Sequence, residues 1–205
     1  MKTLYLIRHA QSLANAGGES LPERDIPLSA LGQQQARDLL CRLPENAAHV
    51  YTSEMRRTHE TAAPFCEQRH IAPMILPCLN EFSCLSIDLI RGMTGEERRP
   101  LGLAYWQRAN IHKRTGQGAD TFAEFNQRVD DFLVLWHTLP DNSLLFGHGI
   151  WIAMLAWKLL GFQVISSDEM RQFRAFQLAL PMPNTAVWKL SGNDVQDLKL
   201  TFQAA

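Results

Sequence analysis

The sequence predicts an α/β protein: a three-layer sandwich whose mostly parallel central sheet is covered by helices on both faces. Short apolar, β-rich runs alternate with stretches that repeat at helical spacing. Helix starts carry capping residues, Ser29 and the Thr121/Glu124 pair among them. The most reactive side chains fall where a strand hands over to a loop or helix, the edge at which such sheets bind ligands. With 205 residues, 46% hydrophobic and 20% charged, the chain fits one core. A single domain over 1–205 is expected, with 82–120 as an insertion capping the site.

Thr3 to Ile7 is a compact apolar run that stops at Arg8-His9 and reads as a central strand. Ser29 caps a helix reaching about Arg42, which Pro44 ends. Val50 to Thr52 is a second strand, and Ser53 then opens a helix to about Arg69. Met74 to Pro77 is a third strand. From Phe82 to Gly118 no period persists, and Pro100 interrupts an otherwise helical segment. After the Thr121/Glu124 capping box, Phe122, Phe125, Val129, Phe132 and Trp136 recur at helical spacing toward a core. Ser143 to Gly147 is strand-like and Ile150 to Leu160 helix-like; Thr185 to Leu190 and Leu198 to Phe202 are closing strands.

Twenty Lys+Arg against 21 Asp+Glu give a formal charge of −1, so neither nucleic acid nor an acidic membrane is an expected partner. The Leu4–Ile7 run is too short for a signal peptide, and Leu144 to Phe162 is broken by glycines and carries His148 and Lys158. A cytoplasmic location is expected, with Cys41, Cys66, Cys78 and Cys84 reduced. No C-x-x-C and no zinc-spaced histidine pair occurs, so neither a metal nor a cofactor is expected. The sequence also lacks a P-loop, a dinucleotide fingerprint and a nucleophilic-serine elbow. What remains is two histidines, several arginines and an acid. That set suits an anionic phosphoryl group, whose spread charge calls for fixed donors and whose transfer a histidine can mediate.

Leu6-Ile7-Arg8-His9-Ala10-Gln11-Ser12 followed by Asn15 resembles the signature of the histidine phosphatase (phosphoglycerate-mutase-like) superfamily. In order along the chain, Leu28-Ser29-x-x-Gly32-x-x-Gln35-Ala36, Ser53-x-x-Arg56-x-x-x-x-Thr61-Ala62, Phe146-Gly147-His148-Gly149 and Asn184-Thr185 resemble its later elements. The resemblance implies a phosphoglycerate-mutase-like fold and a phosphohistidine intermediate. His9 would attack phosphorus, and Arg8, Arg56 and His148 would bind the phosphoryl oxygens, assisted by Asn15 and the Gly149 N–H. Glu81 occupies the place of the family's proton donor. Arg57, beside Arg56, reads as a solvated helix residue.

The resemblance makes the expected activity hydrolysis of a small phosphorylated metabolite, with inorganic phosphate as product. Phosphoglycerate mutase-type transfer is an alternative, disfavoured because no Arg-His-Tyr-Gly segment follows Glu81. A protein phosphohistidine phosphatase and a non-catalytic phosphate-binding module are the others. The basic segment from Arg98 to Arg114, which includes Tyr105 and Trp106, reads either as a solvated helical face or as a cap attracting an anion. The sequence leaves the oligomeric state open, a homodimer included.

Overall fold

The computed structural model describes residues 1–203. Its strands are β1 (Lys2–Arg8), β2 (Val50–Thr52), β3 (Met74–Ile75), β4 (Ser143–Gly147), β5 (Val187–Gly192) and β6 (Lys199–Gln203). The helices are α1 (Ala30–Asp38), α2 (Arg56–Arg69), α3 (Ile87–Ile90), α4 (Gly95–Arg108), α5 (Phe122–Leu135), α6 (Gly149–Leu159) and α7 (Ser167–Ala179), with short 3-10 turns between them. The strands form one sheet in the order β3-β2-β4-β1-β5-β6. β3, β2, β4 and β1 run parallel, and β5 is antiparallel to both its neighbours. The sheet is mixed but mostly parallel, as expected.

Alternation along β1 builds two cores. Leu4 and Leu6 face a cluster with Phe125, Phe132 and Trp151 from α5 and α6, and with Phe173 from α7. Ile7 faces the other side, with Leu39, Phe65 and Phe146, where α1 and α2 pack. Both faces are therefore covered. The sheet is closest to its prediction at β2 and β4, whose observed limits are the predicted ones.

Several elements depart from the sequence reading. The helix after β2 starts at Arg56 and not at Ser53, because the Ser53 hydroxyl accepts the Met55 N–H and holds a turn there. The run containing Pro100 is one helix, α4, started by a Thr94/Glu97 capping box; the proline lies inside it without ending it. Helix α7 has no counterpart in the sequence reading. Ser166 accepts from the Glu169 N–H at its start, and Met170 and Phe173 are its buried residues. Segment 82–120 folds as α3, α4 and their loops, and Arg98 ties it to the loop after β1 through Gly18 O, Ser20 Oγ and Ala14 O. No helix among the described residues is long and apolar enough to cross a membrane.

Candidate active site

The site grows from the pairing of β1 with β4, in which Arg8 stands opposite Gly147. The register brings the next residue of each strand, His9 and His148, edge to face with ring centroids 5.2 Å apart. His9 is 5% exposed and His148 fully buried. His9 Nδ1 lies 2.7 Å from the Ala10 carbonyl. A carbonyl only accepts, so Nδ1 carries the hydrogen and Nε2 keeps its lone pair. Burial, then the Arg57 charge, hold His9 well below its usual pKa, and the same causes act on His148. Both rings are neutral at physiological pH.

Two buried nitrogens in this cluster, Arg8 Nε and His148 Nδ1, have no hydrogen-bond partner. The other ring nitrogen of His148 is 2.8 Å from Ser53 Oγ. Arg8 also donates through Nη1 to the Met182 carbonyl. Gly149 lets Arg8 lie across the start of α6: a Cβ there would sit 3.2 Å from both Arg8 Nε and Met182 Cγ.

Glu81 comes from the loop after β3 and reaches the N-terminus of α6. Its Oε1 accepts the N–H groups of Phe82 and Trp151 at 3.0 and 3.1 Å, and its Oε2 accepts that of Ile150 at 3.0 Å. Burial pushes this carboxyl above the usual carboxylate range, against the pull of the Phe82 and Ile150 N–H groups. Asn15 is anchored through Oδ1, which accepts from Ser12 N and Asn184 Nδ2. Asn184 Nδ2 in turn donates to His9 O at 3.0 Å.

Arg8, His9, Asn15, Glu81 and Gly149 line one cavity of about 450 Å³, with His148 behind the His9 ring. Arg56 is not among its walls. Its side chain is 57% exposed and pairs with Glu60 one turn along α2. The wall belongs to Arg57, 5% exposed, which donates to Glu23 O at 2.8 Å and Glu23 Oε2 at 3.0 Å. The sequence assignment is therefore corrected by one residue. Helical phase was the available signal: Arg57, Thr61 and Phe65 share the buried face, whereas Arg56 shares a turn with Glu60. Sequence reasoning missed Glu23 and named Thr61 in the α2 motif without a role. Glu23 fixes the Arg57 fork, and Thr61 accepts the Ala10 N–H at 3.0 Å and so steadies the loop after His9.

The sequence profile of the histidine phosphatase superfamily (branch 1) matches residues 4–192. The chain belongs to that superfamily. It is 29% identical over 202 residues, 94% of its length and 90% of the relative's, to a protein of Escherichia coli O1:K1 / APEC named probable phosphoglycerate mutase GpmB. By structure it resembles the α-ribazole phosphatase of Shigella flexneri, with a TM-score of 0.72, 21% identity and coverage of 98% and 94% of the two chains. It also resembles the mycobacterial glucosyl-3-phosphoglycerate phosphatase, with a TM-score of 0.71, 20% identity and coverage of 98% and 97%. These structural likenesses are of fold.

Proposed function

We propose that the protein hydrolyses a small phosphorylated metabolite in the cytoplasm through a phosphohistidine on His9, releasing inorganic phosphate. The observation that carries this reading is the pair of unpartnered buried nitrogens, Arg8 Nε and His148 Nδ1, beside an imidazole whose Nε2 is free. A buried donor without an acceptor costs about 1–3 kcal/mol, and an anionic oxygen removes that cost. With the Ser53 hydroxyl donating to His148 Nε2, His148 Nδ1–H becomes such a donor. Arg57 adds to the set: of its five N–H groups, two go to Glu23 and the rest remain for a phosphoryl oxygen.

In the first step the Nε2 lone pair of His9 forms the N–P bond while the ester P–O bond breaks. Glu81 delivers its proton to the departing oxygen. Its Oε2 accepts one backbone bond where Oε1 accepts two, so Oε2 has the lone pair that carries this proton. In the second step Glu81, now a carboxylate, takes a proton from water, whose oxygen displaces His9 from phosphorus and restores both groups. The 82–120 segment serves as the cap, with Phe82 its contribution to the cavity wall.

Phosphoryl transfer between positions of a phosphoglycerate is the second reading, favoured by the relatives named phosphoglycerate mutase. The two share the His9 intermediate and differ in what accepts the phosphoryl group. Rapid quenching during turnover should place an acid-labile phosphate on His9, with one phosphate released per ester consumed. Wild-type turnover by His9→Ala would refute the mechanism, and 2-/3-phosphoglycerate interconversion faster than phosphate release would establish the second reading.

A further inference from the structure

Beyond the phosphoryl-binding end, the cavity is walled by Ile26, Phe82, Ile150, Leu178 and Met182, with Gln177 and Glu23 as the polar members. Resting on the hydrolase reading and deepening it, we propose that this outer half holds the uncharged, partly apolar alcohol of the ester. It discriminates against alcohols that carry a carboxylate, and Leu178 is the position that sets the choice.

Charge decides the matter. Among the described residues, the only cations lining the cavity are Arg8 and Arg57, the two assigned above to the phosphoryl group, and Arg57 is paired with Glu23. Three neighbouring cations are held by other partners, and a fourth, Arg99, lines the adjoining space next to Glu23 and Phe82 and not this cavity. Arg98 donates to Gly18 O, Ser20 Oγ and Ala14 O. Arg174 lies over the Trp106 ring at 4.5 Å and donates to Gln177 Oε1, one layer behind the wall. Arg56 is paired with Glu60. A carboxylate entering the outer half would lose water and meet Ile26, Phe82 and Leu178, with no cation in the cavity wall beyond Arg8 and Arg57. An uncharged alcohol instead covers apolar surface, Leu178 foremost. That side chain is 67% exposed at the end of α7 although it lines the cavity, so a ligand can bury it.

The test compares kcat/KM for 3-phosphoglycerate with that for glycerol 3-phosphate, which has the same length and a hydroxymethyl group in place of the carboxylate, and for benzyl phosphate. Both uncharged alcohols should be favoured over 3-phosphoglycerate by at least about tenfold. Leu178→Lys, an exposed substitution, should raise the ratio for 3-phosphoglycerate over glycerol 3-phosphate by about fivefold, and high salt should shrink that gain. A wild-type preference for 3-phosphoglycerate overturns the proposal. So does an unchanged ratio in a Leu178→Lys protein of wild-type Tm, and the wild-type comparison stands even where that variant is unstable. Failure of the hydrolase reading looks different: no ester is turned over and His9 stays unmodified. Calorimetric competition of the same esters against inorganic phosphate then reads the subsite directly, and tighter binding of 3-phosphoglycerate overturns the assignment.

Discussion

Replacing Arg57 with alanine should be far more damaging than the same change at Arg56, although the two are adjacent. Arg57 is 5% exposed on the cavity wall and places two of its donors on Glu23. Arg57→Ala removes a fixed cation from the phosphoryl end, and the loss of one preorganised donor of this kind lowers kcat by about 10²- to 10³-fold. It also leaves Glu23 without its partner, but that side chain is 40% exposed and regains water, so the loss in Tm should be small beside the loss in kcat. Arg56→Ala removes an exposed pair to Glu60 worth about 0.3–0.5 kcal/mol and leaves kcat/KM near wild type. A pH effect separates a lost cation from a lost fold. Arg57 is the leading charge that depresses His9 and His148. Its removal raises both pKa values, so the acid limb of the kcat/KM profile moves to higher pH. Steady-state kinetics on p-nitrophenyl phosphate between pH 5 and 8 read all of this. Comparable losses in the two variants, or an Arg57→Ala enzyme with wild-type kcat/KM and an unmoved acid limb, would refute the placement of the phosphoryl group.

Glu81→Gln should lower turnover of alkyl phosphates by about 10²- to 10⁴-fold while sparing p-nitrophenyl phosphate, whose leaving group departs without a proton; equal losses on both would make Glu81 structural. Gly32→Ala should cost at least about 1–3 kcal/mol by thermal denaturation, because a Cβ there would lie 2.0 Å from the Gln11 carbonyl oxygen and the loop after His9 must shift. Stability should fall as pH drops below about 6.5, where the unfolded chain protonates two histidines that the fold keeps neutral. Glu81, raised by burial, works in the opposite sense and loses its contribution as pH rises through its folded value. Below that value the net difference is one proton, so urea titrations should show a slope of about 1.4 kcal/mol per pH unit, and saturating phosphate should raise stability throughout.

The parts of the fold legible in the sequence were those built on strong local signals. β4 is five buried residues in a row and α5 combines a capping box with a regular apolar face, so each was found with its limits nearly right. Helix α7 was not read, although Ser166 and Glu169 mark its start; its buried residues are only Met170 and Phe173, a stripe too narrow to stand out. In the site, His9 and His148 were legible as strand ends. The arginine of α2 was misplaced because spacing was counted from Ser53 as though the helix began there, whereas the turn through Met55 advances the phase. Glu23 was unreadable for a different reason. It matters only through Arg57, 34 positions away, and nothing local announces that pairing.

The placement of β1 has a consequence for how the chain acquires its activity. The strand that leads into His9 is synthesised well before both its neighbours, β4 at Ser143–Gly147 and β5 at Val187–Gly192. Until about residue 147 has emerged this apolar strand has two open edges and neither neighbour to pair with, and one edge stays open until about residue 192. The nascent chain therefore carries its future nucleophile on an unpaired apolar strand until β4 is made, the circumstance in which growing chains depend on chaperones. Pairing of His9 with His148 and formation of the centre of the sheet become one late event governed by long-range pairing, so a chain cut short before β4 is deprived of His148 and of the middle of its sheet together.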